Sequence, residues 1–306
     1  MANIVLLGPD SWATNYKIVP TVSSNNLTVA LKTAAGTDPS ASNPVMVRIG
    51  DTERLITSAL SVTKAAGTNW CNSGGSELAT LEVDYFVYLG YNATDGVTIG
   101  FSRIPFATVY SDFLTTTTNE KYCAISTITN AAAGDNYVNI GRFGATLSAG
   151  AGYTWTVPSY TSTNLVQRSV YETRNLSYVP VWTNLTTGDG TVTASYKLMT
   201  NVLRVATSIV FGATSSISGS VSHTIPFTRS TSFYRSIGLV PSALARFRDS
   251  SASTAYFGTA VTSGNASFLG ALDSSVAYLT NAALSSTVPF TWATSDTIEY
   301  EISCVI

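Results

Sequence analysis

Charge is scarce in this chain. Lys, Arg, Asp and Glu make up 11% of its 306 residues, against about a quarter in ordinary globular domains. The net charge is −2. Binding nucleic acid by neutralising phosphates needs clustered Lys and Arg, so the composition argues against that partner. Histidine is nearly absent, with His223 the single one. A serine hydrolase would need it as a base, yet it shares a strand face with Val221 and Ile225. That position predicts a half-buried, hydrogen-bonded imidazole. The same count excludes zinc sites of the usual His-rich kind.

Three cysteines, Cys71, Cys123 and Cys304, have no CxxC spacing and cannot form a fully paired framework. Cys123 and Cys304 read as small core residues, and a Cys71–Cys123 bridge stays open. Calcium loops of the DxDxDG kind are missing. Asp95-Gly96, Asp135-Asn136 and Gly188-Asp189-Gly190 read as turns. The glycine-rich stretch 148–152 has no Lys-Ser/Thr and no helical pattern after it, so it reads as a loop and not a phosphate cradle. No metal and no cofactor is expected. The first residues lack a basic segment and hold only Ile4-Val5-Leu6-Leu7 as an apolar run, which predicts neither a signal peptide nor a membrane span. Sequons at Asn26, Asn92, Asn175, Asn184 and Asn265 then read as chance in a chain rich in Asn, Ser and Thr.

What the chain does have is alternation. In 297–306, Ile298, Tyr300, Ile302, Cys304 and Ile306 share one face, with Thr297, Glu299, Glu301 and Ser303 opposite. A period of two over such a length is a β-strand with one buried face. The same holds for 81–91, where Leu81, Val83, Tyr85, Val87, Leu89 and Tyr91 share a face. It recurs in 203–211, 216–227 and, over a shorter span, Val45, Val47 and Ile49. Asn92-Ala93-Thr94-Asp95-Gly96 between two such runs predicts a hairpin, and Met199-Thr200-Asn201 predicts another. Further strands are expected over 121–127, 139–147, 237–240, 243–248, 255–261 and 266–272.

These signals predict an all-β protein: two antiparallel β-sandwich, jelly-roll-like domains joined by a short linker. The boundaries are 1–158 for the first domain, 159–178 for the linker and 179–306 for the second. Within the linker, Leu165, Val166, Val170 and Tyr171 lie at roughly helical spacing, which suggests one or two helical turns.

Candidate chemistry is thin. Glu82 and Asp84 lie two apart on one strand, as do Glu299 and Glu301. Paired carboxylates are what a glycosidase needs, but both pairs sit opposite an apolar face and read as solvated strand residues. Arg229, Arg235, Arg246 and Arg248, interleaved with Phe233, Tyr234 and Phe247, form the main basic concentration. Arg beside aromatic rings can stack on sugars or pair with anionic glycans; it also suits a subunit interface. Phe233, Tyr234, Arg246, Arg248, Tyr256 and Phe257 are the candidate binding residues. No catalytic set is expected.

The succession Gly190-Thr191-Val192-Thr193-Ala194-Ser195-Tyr196-Lys197, Val210-Phe211-Gly212-Ala213-Thr214-Ser215-Ser216, Ile225-Pro226-Phe227 and Val288-Pro289-Phe290-Thr291-Trp292-Ala293-Thr294-Ser295-Asp296 resembles the C-terminal β-sandwich of tailed-bacteriophage tail fibres and minor tail proteins. The resemblance covers about residues 179–306, and Pro-Phe-Thr-Trp-Ala is its most specific element. Asp84-Tyr85-Phe86-Val87-Tyr88-Leu89-Gly90-Tyr91 also looks like part of a phage virion module. The resemblance implies a homotrimeric virion structural protein, assembled in the host cytoplasm. Its N-terminal part would attach to other virion proteins and its C-terminal head to a host cell-surface glycan or protein, with no membrane insertion. The alternatives are a capsid decoration or head-fibre protein and a glycan-degrading tail spike. A repetitive shaft is lacking, which implies a short appendage and leaves tail and capsid attachment both open.

Overall fold

The computed structural model describes residues 16–66, 80–113, 131–148, 154–163, 171–230, 242–264, 266–273 and 280–306. Among them are nineteen strands, one short 3-10 turn at Tyr110–Phe113 and no α-helix. All strand pairs are antiparallel. The protein is all-β, as the alternation predicts. Several expectations lie outside the described residues: Cys71, Cys123, the strands at 121–127 and 237–240, the glycines of 149–152, and Phe233 and Tyr234.

The chain divides into two compact units, Met1–Arg174 and Asn175–Ile306. In the first, β1 (Tyr16–Ser23), β2 (Asn26–Thr33) and β5 (Leu60–Lys64) form a three-stranded sheet; β3 (Val45–Ile49) and β4 (Thr52–Ile56) form a two-stranded one. A four-stranded sheet takes β6 (Glu82–Asn92), β7 (Gly96–Ser102), β8 (Asn136–Thr146) and β9 (Tyr160–Ser162) in the order β7-β6-β8-β9. The β6–β7 hairpin closes as its Asp-Gly signal predicts. Asn92 Oδ1 accepts the backbone N–H of Thr94 at 2.9 Å and of Asp95 at 2.7 Å, and Gly96 takes φ of 73°, a left-handed backbone that strains residues with a side chain.

One face of β6 feeds an aromatic core. The Tyr85 ring stacks on Phe143 at 5.3 Å, and Phe101 and Trp155 meet it edge-on at 5.6 and 5.4 Å. The other face is buried as well: Phe86 and Tyr88 are fully covered, and the Tyr88 hydroxyl donates to the Ile104 carbonyl at 2.9 Å.

The second unit contains β10 (Leu176–Ser177), β11 (Trp182–Thr186), β12 (Thr191–Met199), β13 (Val202–Val210), β14 (Ser216–Thr224), β15 (Ser242–Asp249), β16 (Thr254–Ser263), β17 (Ala266–Asp273), β18 (Thr280–Ala283) and β19 (Thr297–Val305). They pair as a single ten-stranded sheet in the order β10-β12-β13-β19-β15-β16-β17-β14-β11, with β18 branching from β17. The sheet folds over on itself. Tyr178, just after β10 at one end, has its ring 6.5 Å from His223 on β14 near the other end, and His223 is 5.7 Å from Tyr300 on β19 in the middle. The inner face therefore encloses one core, with Val205, Ile209, Ile298, Ile302 and Cys304 buried in alternation. Burial pushes the Cys304 thiol up to about 11, so it is an unreactive core residue.

Residues 159–178 are not a bare linker. β9 belongs to the first unit's sheet and β10 to the second's, because both short runs find an open strand edge to pair with. The described residues 171–178 hold no helix, and 164–170 lie outside the described residues.

Candidate binding surface

The two carboxylate pairs end up in different environments. Glu299 and Glu301 stand on the outer face of the second unit's sheet, as expected, each paired with an arginine across the strand: Arg246 Nη1 reaches Glu299 at 3.2 Å and Arg204 Nε reaches Glu301 at 2.9 Å. Glu82 and Asp84 do not fit the solvated reading. The Asp84 side chain is fully buried. Its Oδ1 accepts from Arg174 Nε at 2.9 Å and Nη2 at 2.6 Å, and its Oδ2 from the Arg174 backbone N–H at 2.8 Å. Arg174 can lie there because Gly144 is beneath it; any Cβ at Gly144 would meet the guanidinium and the Glu82 carboxylate. Glu82 accepts from Ser159 Oγ and pairs with Arg174 at 3.2 Å. The Ser159 hydrogen bond, aided by Arg174, holds its carboxyl below the usual range. Both carboxylates thus clasp a strap of chain.

The six candidate binding residues separate. Arg246 sits opposite Phe257 across β15 and β16, and Arg248 opposite Ala255, so directly paired residues share the outer face. Phe257 is 55% exposed there, with Leu244 at 70% and Phe268 at 44% on the same face of neighbouring strands. Arg248 is exposed and has no ion-pair partner among the described residues. Tyr256 points the other way. It sits opposite Phe247, and its ring lies 5.2 Å from Phe290.

Tyr256 begins an aromatic row that continues through Phe290 and Trp292, 4.5 Å apart, to Phe211, stacked on Trp292 at 4.8 Å. The Trp292 ring N–H donates to the Ser285 carbonyl at 3.0 Å. The Pro-Phe-Thr-Trp-Ala segment is thus a plug closing one end of the second unit's core.

At that end the loops are tied by three aspartates. Asp296 is fully buried and accepts from the backbone N–H of Ala293 at 2.6 Å and of Ser250 at 2.9 Å. Asp189 Oδ1 accepts the Thr214 N–H and hydroxyl, both at 2.8 Å. Asp249 Oδ1 accepts the Ser251 hydroxyl at 2.7 Å and the Ala252 N–H at 3.0 Å. Hydrogen bonds from Thr214 hold the Asp189 carboxyl below its ordinary range, and those from Ser251 do the same for Asp249. Sequence reasoning took Gly188-Asp189-Gly190 as a turn, which it is, without seeing that the carboxylate reaches across to the 211–215 loop. The only local signal was Asp next to Ser or Gly, typical of side-chain-capped turns.

The resulting surface can do two things chemically: donate and accept hydrogen bonds through fixed hydroxyls and amides, and stack apolar or planar groups on Phe257 and the arginines of the outer face. Among the described residues no three of His, Cys, Asp and Glu converge as metal ligands. Fold and surface together define an all-β protein whose second unit has hydrogen-bonded loops at one end. No family model, curated protein or solved structure matches the chain.

Proposed function

We propose that the protein is a bacteriophage virion structural protein, a short tail fibre or receptor-binding protein whose second unit, a β-sandwich-like head, meets the host surface. The observation that carries this reading is the loop end of that unit, where Asp189, Asp249 and Asp296 fix the loops, together with the exposed Arg248 and Phe257 on the outer face of β15 and β16. Such a surface binds neutral or weakly anionic glycans through hydrogen bonds and stacking with little ordering cost. Weak sites on several copies then multiply by avidity. The Pro-Phe-Thr-Trp-Ala resemblance supports the same class, and the low charge suits close packing of copies in a homotrimer. The first unit, on this reading, joins the virion.

Two measurements test it. Native mass at low micromolar concentration should be three times the 32.3 kDa chain; a clean monomer counts against the fibre reading. Replacing Arg248 and Phe257 together by alanine should lower binding to host cells about tenfold or more, as for two interface anchors. Unchanged binding removes this face as the receptor site.

A further inference from the structure

His223, the chain's single histidine, is not half-buried as its strand position predicts. It is 1% exposed, at the place where the folded-over sheet closes on itself. Its Nδ1 lies 2.7 Å from the Thr224 carbonyl oxygen. A carbonyl only accepts, so Nδ1 carries the proton of the neutral ring and Nε2 is left as a bare lone pair. That nitrogen has no hydrogen-bond partner among the described residues.

Four elements face the ring. Trp182 of β11 is 4.6 Å away, Tyr300 of β19 is 5.7 Å, and Tyr178 beside β10 is 6.5 Å; Ser267 of β17 is its cross-strand partner. The titratable groups among these are the two phenols, Tyr178 and Tyr300, and burial raises Tyr178 further above its ordinary value. No charged side chain among the described residues acts on the imidazole; burial and the Thr224 carbonyl alone do.

We propose that His223 is an acid release for the second unit: neutral, it joins the two ends of the folded sheet, and protonated, it forces them apart. A charge formed at this position exchanges water for aromatic faces and hydroxyls, with no anion to meet it. Burial accordingly pushes the imidazole down from 6.5 to about 4. Between these values the unfolded chain binds a proton that the folded chain refuses. The stability held by the neutral ring is complete above pH 6.5 and drains away as pH falls toward 4. From His223 alone, the folded-to-unfolded ratio should drop on the order of a hundredfold between pH 7.5 and 4. The inference stands whether or not the protein binds a host surface.

The full chain gives one histidine Cε1–H resonance, so its titration reads this ring without assignment. The expected result is a midpoint well below 6.5, with nitrogen shifts showing the proton on Nδ1. A midpoint at 6.5 or above overturns the proposal. In urea unfolding, the wild type should lose far more of its folded-to-unfolded ratio between pH 7.5 and 4.5 than His223→Phe, whose remaining slope belongs to carboxylates. Equal losses also overturn it, and the wild-type resonance decides the matter alone if the variant does not fold.

Discussion

In the first unit, β6 is buried along both faces from Val83 to Leu89, whereas β13 and β19 of the second unit bury every other residue and leave the rest to solvent. A strand covered on both sides must settle everything it carries, polar groups included. That is why Asp84 is held by three hydrogen bonds from one arginine. A strand covered on one side can display side chains freely. The second unit's outer face accordingly carries Arg204, Arg246, Arg248, Phe257, Glu299 and Glu301, and there the ion pairs are exposed. Asp84 on β6 serves internal order, whereas the outer faces of β13, β15 and β19 present their charges.

The difference can be tested by substitution. Phe86→Ala, on the second buried face of β6, should cost about 3–5 kcal/mol, read as a lower urea midpoint; a cost below about 1 kcal/mol would mean that this face is open. Arg174→Ala leaves Asp84 buried without its partner and should cost about 3 kcal/mol, the low end for a broken buried pair because the guanidinium itself is partly exposed. Asp84→Asn should be milder, since the charge it leaves, on Arg174, is partly exposed and still paired with Glu82. In the second unit, Gly258→Ala pushes a methyl group into the Gly270 carbonyl and the Phe247 ring and should cost about 1–3 kcal/mol. Smallest of all, Arg246→Ala at its exposed pair with Glu299 should change stability by less than about 1 kcal/mol. A larger loss there would show that the outer face is covered.

The same contrast explains what could be read from the chain. Alternation located β13, β19 and β6 because polar and apolar side chains point to opposite faces of a strand. For β6 it misjudged the second face, although Phe86, Tyr88 and Gly90 stand where polar residues were assumed; a nearly continuous apolar run signals burial on both sides. The Asp84–Arg174 clasp joins residues 90 positions apart, and no local pattern announces such a pair. The binding candidates show the limit at finer scale. Strands β15 and β16 were legible, but whether Arg246 faces Phe257 or Tyr256 depends on the register set by the 250–253 turn, and a shift of one residue exchanges the faces.

The three aspartates at the loop end have a consequence for how this protein can change over time. Asp189, Asp249 and Asp296 hold backbone N–H groups and hydroxyls, while the neighbouring Ala213, Ser253 and Ser295 serve none of these caps through their side chains. Ser253 and Ser295 take positive φ, 50° and 72°, which favours Gly, Asn or Asp as replacements, whereas Ala213 is free of that backbone limit. The caps therefore separate the side chains that hold the loops from a few that can be replaced while the fold stays put.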